Sequence, residues 1–525
     1  MSLIRNVGTI GGLTAVSRVF GFARDMLLAR VLGAGGVADA WQLAFQLPNI
    51  FRRLFAEGAF ASAFVPLFNQ RMSEADPERT EARRFADEIL AVLIPVLIVF
   101  SALALIAMPW IMGLFASDAL KADATRFDLG VTMARIAFPY LAFMSLATLL
   151  AAILNSLSRF AAAAAAPIFL NVCLIAALVA GASLDGSEAA KQQTGLYLAI
   201  AVSISGLVQL VWLGVWAGRA GFRFSALKPP RLTQGVRQLS VLILPALLGA
   251  GVYQISRFID LFFIAGLPDK SITFLAMADR LNQMPLGIIG IALGTAILPA
   301  LSRFIAQDEP DQAFRLQGNA VELAMLLTLP AAVALYVTGS ALTRAFYAGG
   351  AYSVADAVAT GAVVSTLVVG LPAYVLVKVL TPGFFARNDT RTPVFTAAAS
   401  LCLNVALNFV LVPRMGVKGL ALAGSISAWA NCAMLYAVLA SKGHFHLTGM
   451  TASRIARIVA ASAIMGALLW WVEPMGAQWF IGSVWQRVLS ITGLVGIGMV
   501  CFFALAWAMG VVNRQTIGQL RRRKV

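Results

Sequence analysis

Residues 91–115 read AVLIPVLIVFSALALIAMPWIMGLF, a run without one charged side chain. About 20 apolar residues in a helix cross the roughly 30 Å hydrocarbon layer of a bilayer. This run is therefore a membrane span, and segments like it recur along the chain. On the same criterion, spans are predicted near residues 13–33, 40–69, 88–116, 129–156, 162–182 and 195–218. Six more follow near 239–265, 273–303, 317–342, 356–385, 393–412 and 419–440, and two last ones near 455–476 and 487–511. The apolar stretches are continuous rather than alternating, which excludes a transmembrane β-barrel. The expected fold class is an all-α polytopic membrane protein with about 14 transmembrane helices.

Composition points the same way. Of 525 residues, 60% are hydrophobic and 12% charged, with a mean hydropathy of +0.83. Soluble domains are about 45–50% apolar and about 25% charged, so a soluble enzyme and a disordered chain are both excluded. The net charge is +16, from 40 Lys+Arg against 24 Asp+Glu. In a soluble protein this would suggest nucleic acid. Here the cations collect in alternate loops, roughly three to one, as the positive-inside rule requires, and no nucleic-acid partner is expected. The basic side holds Arg71, Arg79, Arg83, Arg84, then Arg219, Arg223, Lys228, Arg231 and Arg237, then Lys442, Arg454, Arg457 and the tail Arg521–Lys524. Both termini are thus expected in the cytoplasm. The segment from Arg71 to Arg84, which also carries Glu74, Asp76, Glu78 and Glu81, reads as a short amphipathic helix. Arg18, Arg24, Asp25 and Arg30 interrupt the first apolar stretch, so it reads as a functional span and not a cleavable signal. The four cysteines lie inside apolar segments, and His444 and His446 share one loop without a cysteine. No disulfide framework or metal site is expected.

The chain also echoes itself at an offset of about 233 residues. Asn155 and Asn171 correspond to Asn388 and Asn404. Gln46-Leu47-Pro48 corresponds to Gln283-Met284-Pro285, Pro66 to Pro299, Asp25 to Asp260, and, at the shorter offset of 222, Ser203-Ile-Ser205 to Ser425-Ile-Ser427. Each copy holds six spans, an even number, so both copies share one orientation and are related by an axis along the membrane normal. The expected organisation is an N-terminal six-helix lobe over residues 1–222 and a second over 223–445, facing one another. Residues 446–525 add two helices and a basic cytoplasmic tail.

Charges sit where lipid should be. The first repeat places Arg18, Arg24, Asp25, Asp39, Arg52, Arg53 and Glu57 in or beside its first two helices. The second places Arg257, Asp260, Asp279 and Arg280 in the matching ones. An arginine at a helix centre costs about 2.5–3.5 kcal/mol on insertion scales, so these groups must face the bundle interior or a wet cavity. Arg18 and Asp25 share a helix face at a spacing of seven, and Arg257 and Asp260 at a spacing of three. Asp25, Asp39, Glu57, Arg257, Asp260 and Asp279 are the expected charge-pairing or gating residues. In the first repeat arginines outnumber carboxylates, and a buried positive surplus suits an anion whose oxygens match guanidinium forks. Pro48 and Pro285, at equivalent mid-helix places, are the expected hinges.

The run from Asn6-Val-Gly-Thr-Ile to Ser17-Arg18-Val-Phe-Gly-Phe-Ala-Arg24-Asp25 resembles the MurJ/MviN family. So do Ala38-Asp39-Ala-Trp41, Leu47-Pro48-Asn49-Ile-Phe-Arg52-Arg53-Leu-Phe-Ala-Glu57-Gly58-Ala-Phe60, and Ala278-Asp279-Arg280-Leu281. The resemblance covers essentially the whole chain. It implies a transporter of the multidrug/oligosaccharidyl-lipid/polysaccharide exporter superfamily in the bacterial cytoplasmic (inner) membrane. The implied activity is flipping lipid II, the undecaprenyl-diphosphate-linked disaccharide pentapeptide of peptidoglycan synthesis, to the outer leaflet by alternating access. It makes Arg18, Arg24, Arg52 and Arg280 the substrate-binding residues, with Asp39 and Asp279 as acidic cavity residues. Gln283 stands where some relatives carry a glutamate. The last two helices would form a groove for the lipid tail. Membrane lipids and cell-wall synthesis proteins are the other expected partners.

No resident cofactor is expected; coupling would come from the membrane potential or a monovalent cation. Two other readings stay open on sequence. One is export of a different polyprenyl-diphosphate-linked glycan. The other is a drug or cation antiporter, which would need surplus carboxylate where this chain has surplus arginine. An enzyme is disfavoured, because no clustered acid/base or metal site accompanies the spans.

Overall fold

The computed structural model describes residues 3–55, 59–72, 76, 79–224 and 229–511. Among them every regular element is helical, and no strand forms. The chain runs through α1 (Leu3–Leu32), α2 (Gly36–Phe55), α3 (Ala59–Gln70), α4 (Thr80–Phe115), α5 (Asp118–Ala122), α6 (Ala124–Ala137) and α7 (Tyr140–Ser156). It continues with α8 (Phe160–Ala182), α9 (Glu188–Arg219), α10 (Gln234–Ala265), α11 (Ser271–Pro285), a π-helical segment (Leu286–Gly290) and α12 (Ile291–Ala306). Then come α13 (Pro310–Tyr347), α14 (Val354–Val368), α15 (Leu371–Leu380), α16 (Pro382–Phe385), α17 (Arg391–Met415), α18 (Val417–Ser441), α19 (Gly449–Val472) and α20 (Val484–Ala508).

Ten of these, single helices or broken pairs, are long and apolar enough to cross a membrane. They include Thr80–Phe115, Glu188–Arg219, Pro310–Tyr347 and Val484–Ala508. The other expected spans are helical as well, and α1, α2 and α11 carry the charges flagged above. The apolar faces are bare: on α4, Ile98, Leu103, Ile106 and Trp110 are all more than 60% exposed. A water-soluble protein does not show such a surface, and lipid covers it without cost.

Packing divides the chain into two compact units, Met1–Thr273 and Phe274–Val525. In the first, α1 lies on α8, α8 on α9, and α2 on α6, α7 and α9, while α10 packs against α3 and α4. Stacked rings of Phe60, Phe64, Phe68 and Phe85, with centroids 5.4–5.5 Å apart, bind α3 to α4. In the second unit α13 is central, flanked by α14, α15 and α19. The added helices dock here, α19 along α13 and α20 against both.

The internal echo has structural counterparts inside each unit. The fourth span of each copy breaks at a proline, Pro139 before α7 and Pro372 at the start of α15. Ser203 on α9 donates to the carbonyl of Ile136 at the end of α6. Its counterpart Ser425 on α18 donates to Thr366 O on α14 at 3.0 Å.

One local expectation is corrected. Arg71, Met72, Asp76 and Arg79 are not in a separate amphipathic helix. Asp76 instead accepts the Thr80 N–H at 2.6 Å and starts α4, so its carboxylate is used as a cap for the orphan donors of a long helix.

Candidate functional site

The charges of α1 form a buried cluster with α8. Arg24 is 8% exposed and Asp25 4%. Arg24 Nε and Nη2 both donate to Asp25 Oδ1, at 3.0 and 2.6 Å. Nη1 donates to Asn171 Oδ1 at 3.0 Å, and Asn171 Nδ2 returns to Ser17 O on α1 at 3.1 Å. The expected Arg18–Asp25 pairing does not form. Seven residues put those groups about 10.5 Å apart along the axis, beyond the reach of a short aspartate. The long Arg24 side chain instead folds onto its neighbour once Asn171 fixes the guanidinium. Arg18 is exposed. A guanidinium carries five N–H donors, so Arg24 keeps two beyond those used here.

Asp39, in the first turn of α2, is 1% exposed and acts as a helix cap. Oδ2 accepts from Lys270 N–H at 2.7 Å, and Oδ1 accepts from Thr273 N–H at 2.9 Å and from the Thr273 hydroxyl. A carboxylate at a helix N-terminus satisfies orphan donors and complements the positive end of the helix dipole. Asp39 thereby fixes where α11 begins. Lys270 has a φ of 79°, in the left-handed region, and its N–H bond to Asp39 helps hold it there. Next to this cap, Arg126 gathers Asp123 at 3.1 Å, Asp269 at 3.6 Å and Glu188 at 3.8 Å.

Arg52 lies half-buried in the last turn of α2, with Nε 3.4 Å from Asn49 Oδ1, and Arg53 beside it is exposed. The helix runs unbroken through buried Pro48. Asp260 is half-buried on α10. Glu57 and the side chain of Arg257 lie outside the described residues, as does the tail Arg521–Lys524.

In the second unit α11 carries Asp279 and Arg280, both half-buried. Gln283 Nε2 donates to Asp279 Oδ2 one turn away. Gln283 therefore serves Asp279 as a hydrogen-bond donor, a role a glutamate could fill only when protonated. Directly after Pro285 the backbone passes into the π-helical segment Leu286–Gly290. Proline lacks the N–H of the regular ladder, and π segments in α-helices collect at functional sites.

The structure thus brings Arg24 and Asp25 together, and engages Asp39 and Asp279 with other partners. Sequence reading marked Asn171 only as a repeat position and missed its part in the cluster. Its signal was an amide inside an apolar helix, since buried polar side chains need a partner. The Asp39 partners Lys270 and Thr273 left no signal at a separation of more than 230 residues.

Chemically, the arrangement offers guanidinium donors on α1 and α2, which suits anion recognition. Comparison with known proteins identifies the chain further. The family model described as "Lipid II flippase MurJ" matches residues 28–490. A probable lipid II flippase of Rhizobium meliloti is 41% identical over 515 residues, covering 97% of this chain and 94% of the relative. A Vibrio cholerae protein with the same description is 35% identical over 97% of this chain and 96% of its own length. Among solved structures, a lipid II flippase in an inward closed conformation superposes with a TM-score of 0.76 at 21% identity, covering 95% of this chain and 97% of that one. An inward-facing multidrug transporter of the MATE family in the MOP superfamily gives 0.67 at 13% identity, covering 82% and 95%. The last two likenesses speak to the fold, while the family model and the sequence relatives speak to descent: the chain belongs to the MurJ lipid II flippase family.

Proposed function

We propose that this multi-pass membrane protein moves lipid II from the cytoplasmic to the outer leaflet of the bacterial inner membrane by alternating access. It is a transporter of peptidoglycan synthesis and not an enzyme. The observation that carries the reading is the family match across residues 28–490, which takes in Asp39, Arg52, Asn171 and Arg280. In this reading Arg18, Arg24 and Arg52 engage the diphosphate, and Arg280 is a further contact. Asp39 gates by holding or releasing the start of α11, and Asp279, Asp260 and Arg257 balance charge. Residues 1–222 and 223–445 act as the two lobes, with both termini in the cytoplasm and fourteen spans in all. The two final helices accommodate the polyprenyl tail, and cell-wall synthesis proteins receive the product.

Two negative charges moving outward across a full field, negative inside, gain about 4.6 kcal/mol per 100 mV, enough to give direction. The test is exposure of lipid II in the outer leaflet of cells depleted of their own flippase. Wild type is expected to restore it, while Arg18→Ala and Arg52→Ala at matched membrane abundance do not. A wild-type chain that inserts and restores nothing refutes lipid II as the substrate. Equal rescue by both variants refutes the arginine site.

A further inference from the structure

A second feature, independent of transport, lies within the first unit at the far end of α9. A cavity of about 410 Å³ opens there between α4, α7 and α9, walled by Leu90, Leu150 and Leu210 and closed by Phe222. That volume falls within the range of about 300–1,000 Å³ typical of ligand pockets. Its floor is the α9 backbone at Gly214 and Gly218, one turn apart. A Cβ built on either glycine would meet no atom within 4 Å, so the room is real and side chains do not fill it. The lining is apolar except for Arg223. Arg223 is exposed and makes no ion pair among the described residues.

The surroundings set the depth of this rim. Trp212 and Trp216 lie on the last turns of α9, and the Arg219 guanidinium stands 5.5 Å from the Trp216 ring. Arg83 donates to Gly221 O at 2.7 Å. Tryptophan with arginine marks the headgroup level of a membrane, and the basic loop places it at the cytoplasmic leaflet. An apolar slot near that level, lined also by a guanidinium without an ion pair among the described residues, matches one kind of molecule, an amphiphile with an anionic head.

We propose that this cavity holds an acyl chain of an anionic phospholipid of the bulk membrane, with its phosphate on Arg223. A guanidinium pairs with phosphate oxygens in a forked geometry. A phosphodiester without its own cation leaves that pair uncompeted, whereas a choline headgroup carries an internal rival. Anionic lipid is therefore preferred to zwitterionic lipid of the same chain length.

The probe is phosphatidylglycerol carrying a photoactivatable diazirine in mid-chain, in vesicles with the purified full-length protein, compared with the phosphatidylcholine analogue. Crosslinks are expected within residues 146–150 and 210–224, several-fold stronger for phosphatidylglycerol. Gly214→Leu fills the slot and is expected to lower labelling there about tenfold. Arg223→Gln keeps labelling but removes the preference between headgroups. Thermal unfolding identifies any variant that fails to fold, and Gly218→Leu is the second filling substitution. Three results overturn the proposal: equal labelling by both lipids in wild type, labelling undiminished in a folded Gly214→Leu or Gly218→Leu, or displacement of phosphatidylglycerol by an equimolar polyprenyl diphosphate. The last would make the cavity a subsite for the tail of the transported lipid.

Discussion

Replacing Asp25 by asparagine separates the structural work of the α1 cluster from its part in transport. The change keeps the shape and removes one charge. Arg24 and Asp25 are 8% and 4% exposed, so the guanidinium left behind cannot turn to water. Removing one partner of a buried ion pair costs about 3–5 kcal/mol, because the other charge stays buried and uncompensated. The asparagine carbonyl can still accept one of the two bonds that Asp25 Oδ1 takes now, so the low end, about 3 kcal/mol, is expected. Removing both charges, as in Arg24→Met with Asp25→Leu, is expected to cost less than Asp25→Asn alone. The assay is equilibrium unfolding in mixed micelles of wild type, Asp25→Asn, Arg24→Met, Asp25→Leu and the double variant, the last three closing a double-mutant cycle with wild type. A cost below about 1 kcal/mol for Asp25→Asn, or simple additivity, would show the pair to be solvated and refute the reasoning. The same variant then reports on transport. If a diphosphate can stand in for the missing carboxylate, lipid II should stabilise Asp25→Asn more than wild type.

Three further outcomes are expected. Asp39→Asn replaces an acceptor-only group with one whose amide faces N–H donors, losing one or two charge-assisted bonds worth about 1.5–3 kcal/mol each; hydrogen exchange across residues 266–275 should quicken while α8 is unchanged. His444, between α18 and α19, is held below its ordinary pKa of 6.5 by burial first and by Arg387 and Lys442 next; below pH 6.5 the unfolded chain binds the proton more readily, so stability should fall as pH drops from 7 towards 5, and His444→Gln should flatten that slope. Arg487 donates to Ala345 O, Ala348 O, Ile481 O and Gly482 O, tying the end of α13 to the start of α20; Arg487→Gln should cost about 2–3 kcal/mol, read as a lower thermal midpoint.

Much of the fold was legible because lipid imposes a simple rule. Each apolar run of sufficient length becomes a helix, and the break before α7 is repeated before α15 at the offset the sequence shows. The candidate site was legible only as an inventory. Arg24 and Asp25 were conspicuous as charges in an apolar helix, but the choice of partner depended on Asn171, 147 residues away. Spacing on α1 favoured Arg18, because helical periodicity ranks side chains by face and is silent on side-chain length and on what packs opposite. Asp39 looked like a partner for arginine and is instead spent on backbone N–H groups, which no sequence pattern advertises. Asp76 misled in the same way, since a mixed run of acids and bases reads as an amphipathic helix until one carboxylate is seen to cap the next one.

These assignments change how the positive surplus of the first repeat is counted. By sequence, every arginine in α1 and α2 adds one unit of attraction for an anion. By geometry, Arg24 and Asp25 sum to zero, and Asp39, serving a helix terminus, neutralises none of the arginines described around it. The charge that a diphosphate would feel from α1 therefore comes chiefly from Arg18, which stands exposed. Arg24 contributes direction instead, two remaining N–H donors held at a fixed angle by Asp25 and Asn171. A site of this kind separates attraction from orientation. Exposed charge draws the anion in and is screened by salt, while the buried fork selects its geometry and is screened far less. A free guanidinium at both positions would bind an anion more tightly, yet a flippase must also release its cargo. Compensating one arginine in advance keeps the selectivity of the fork without the full depth of the well.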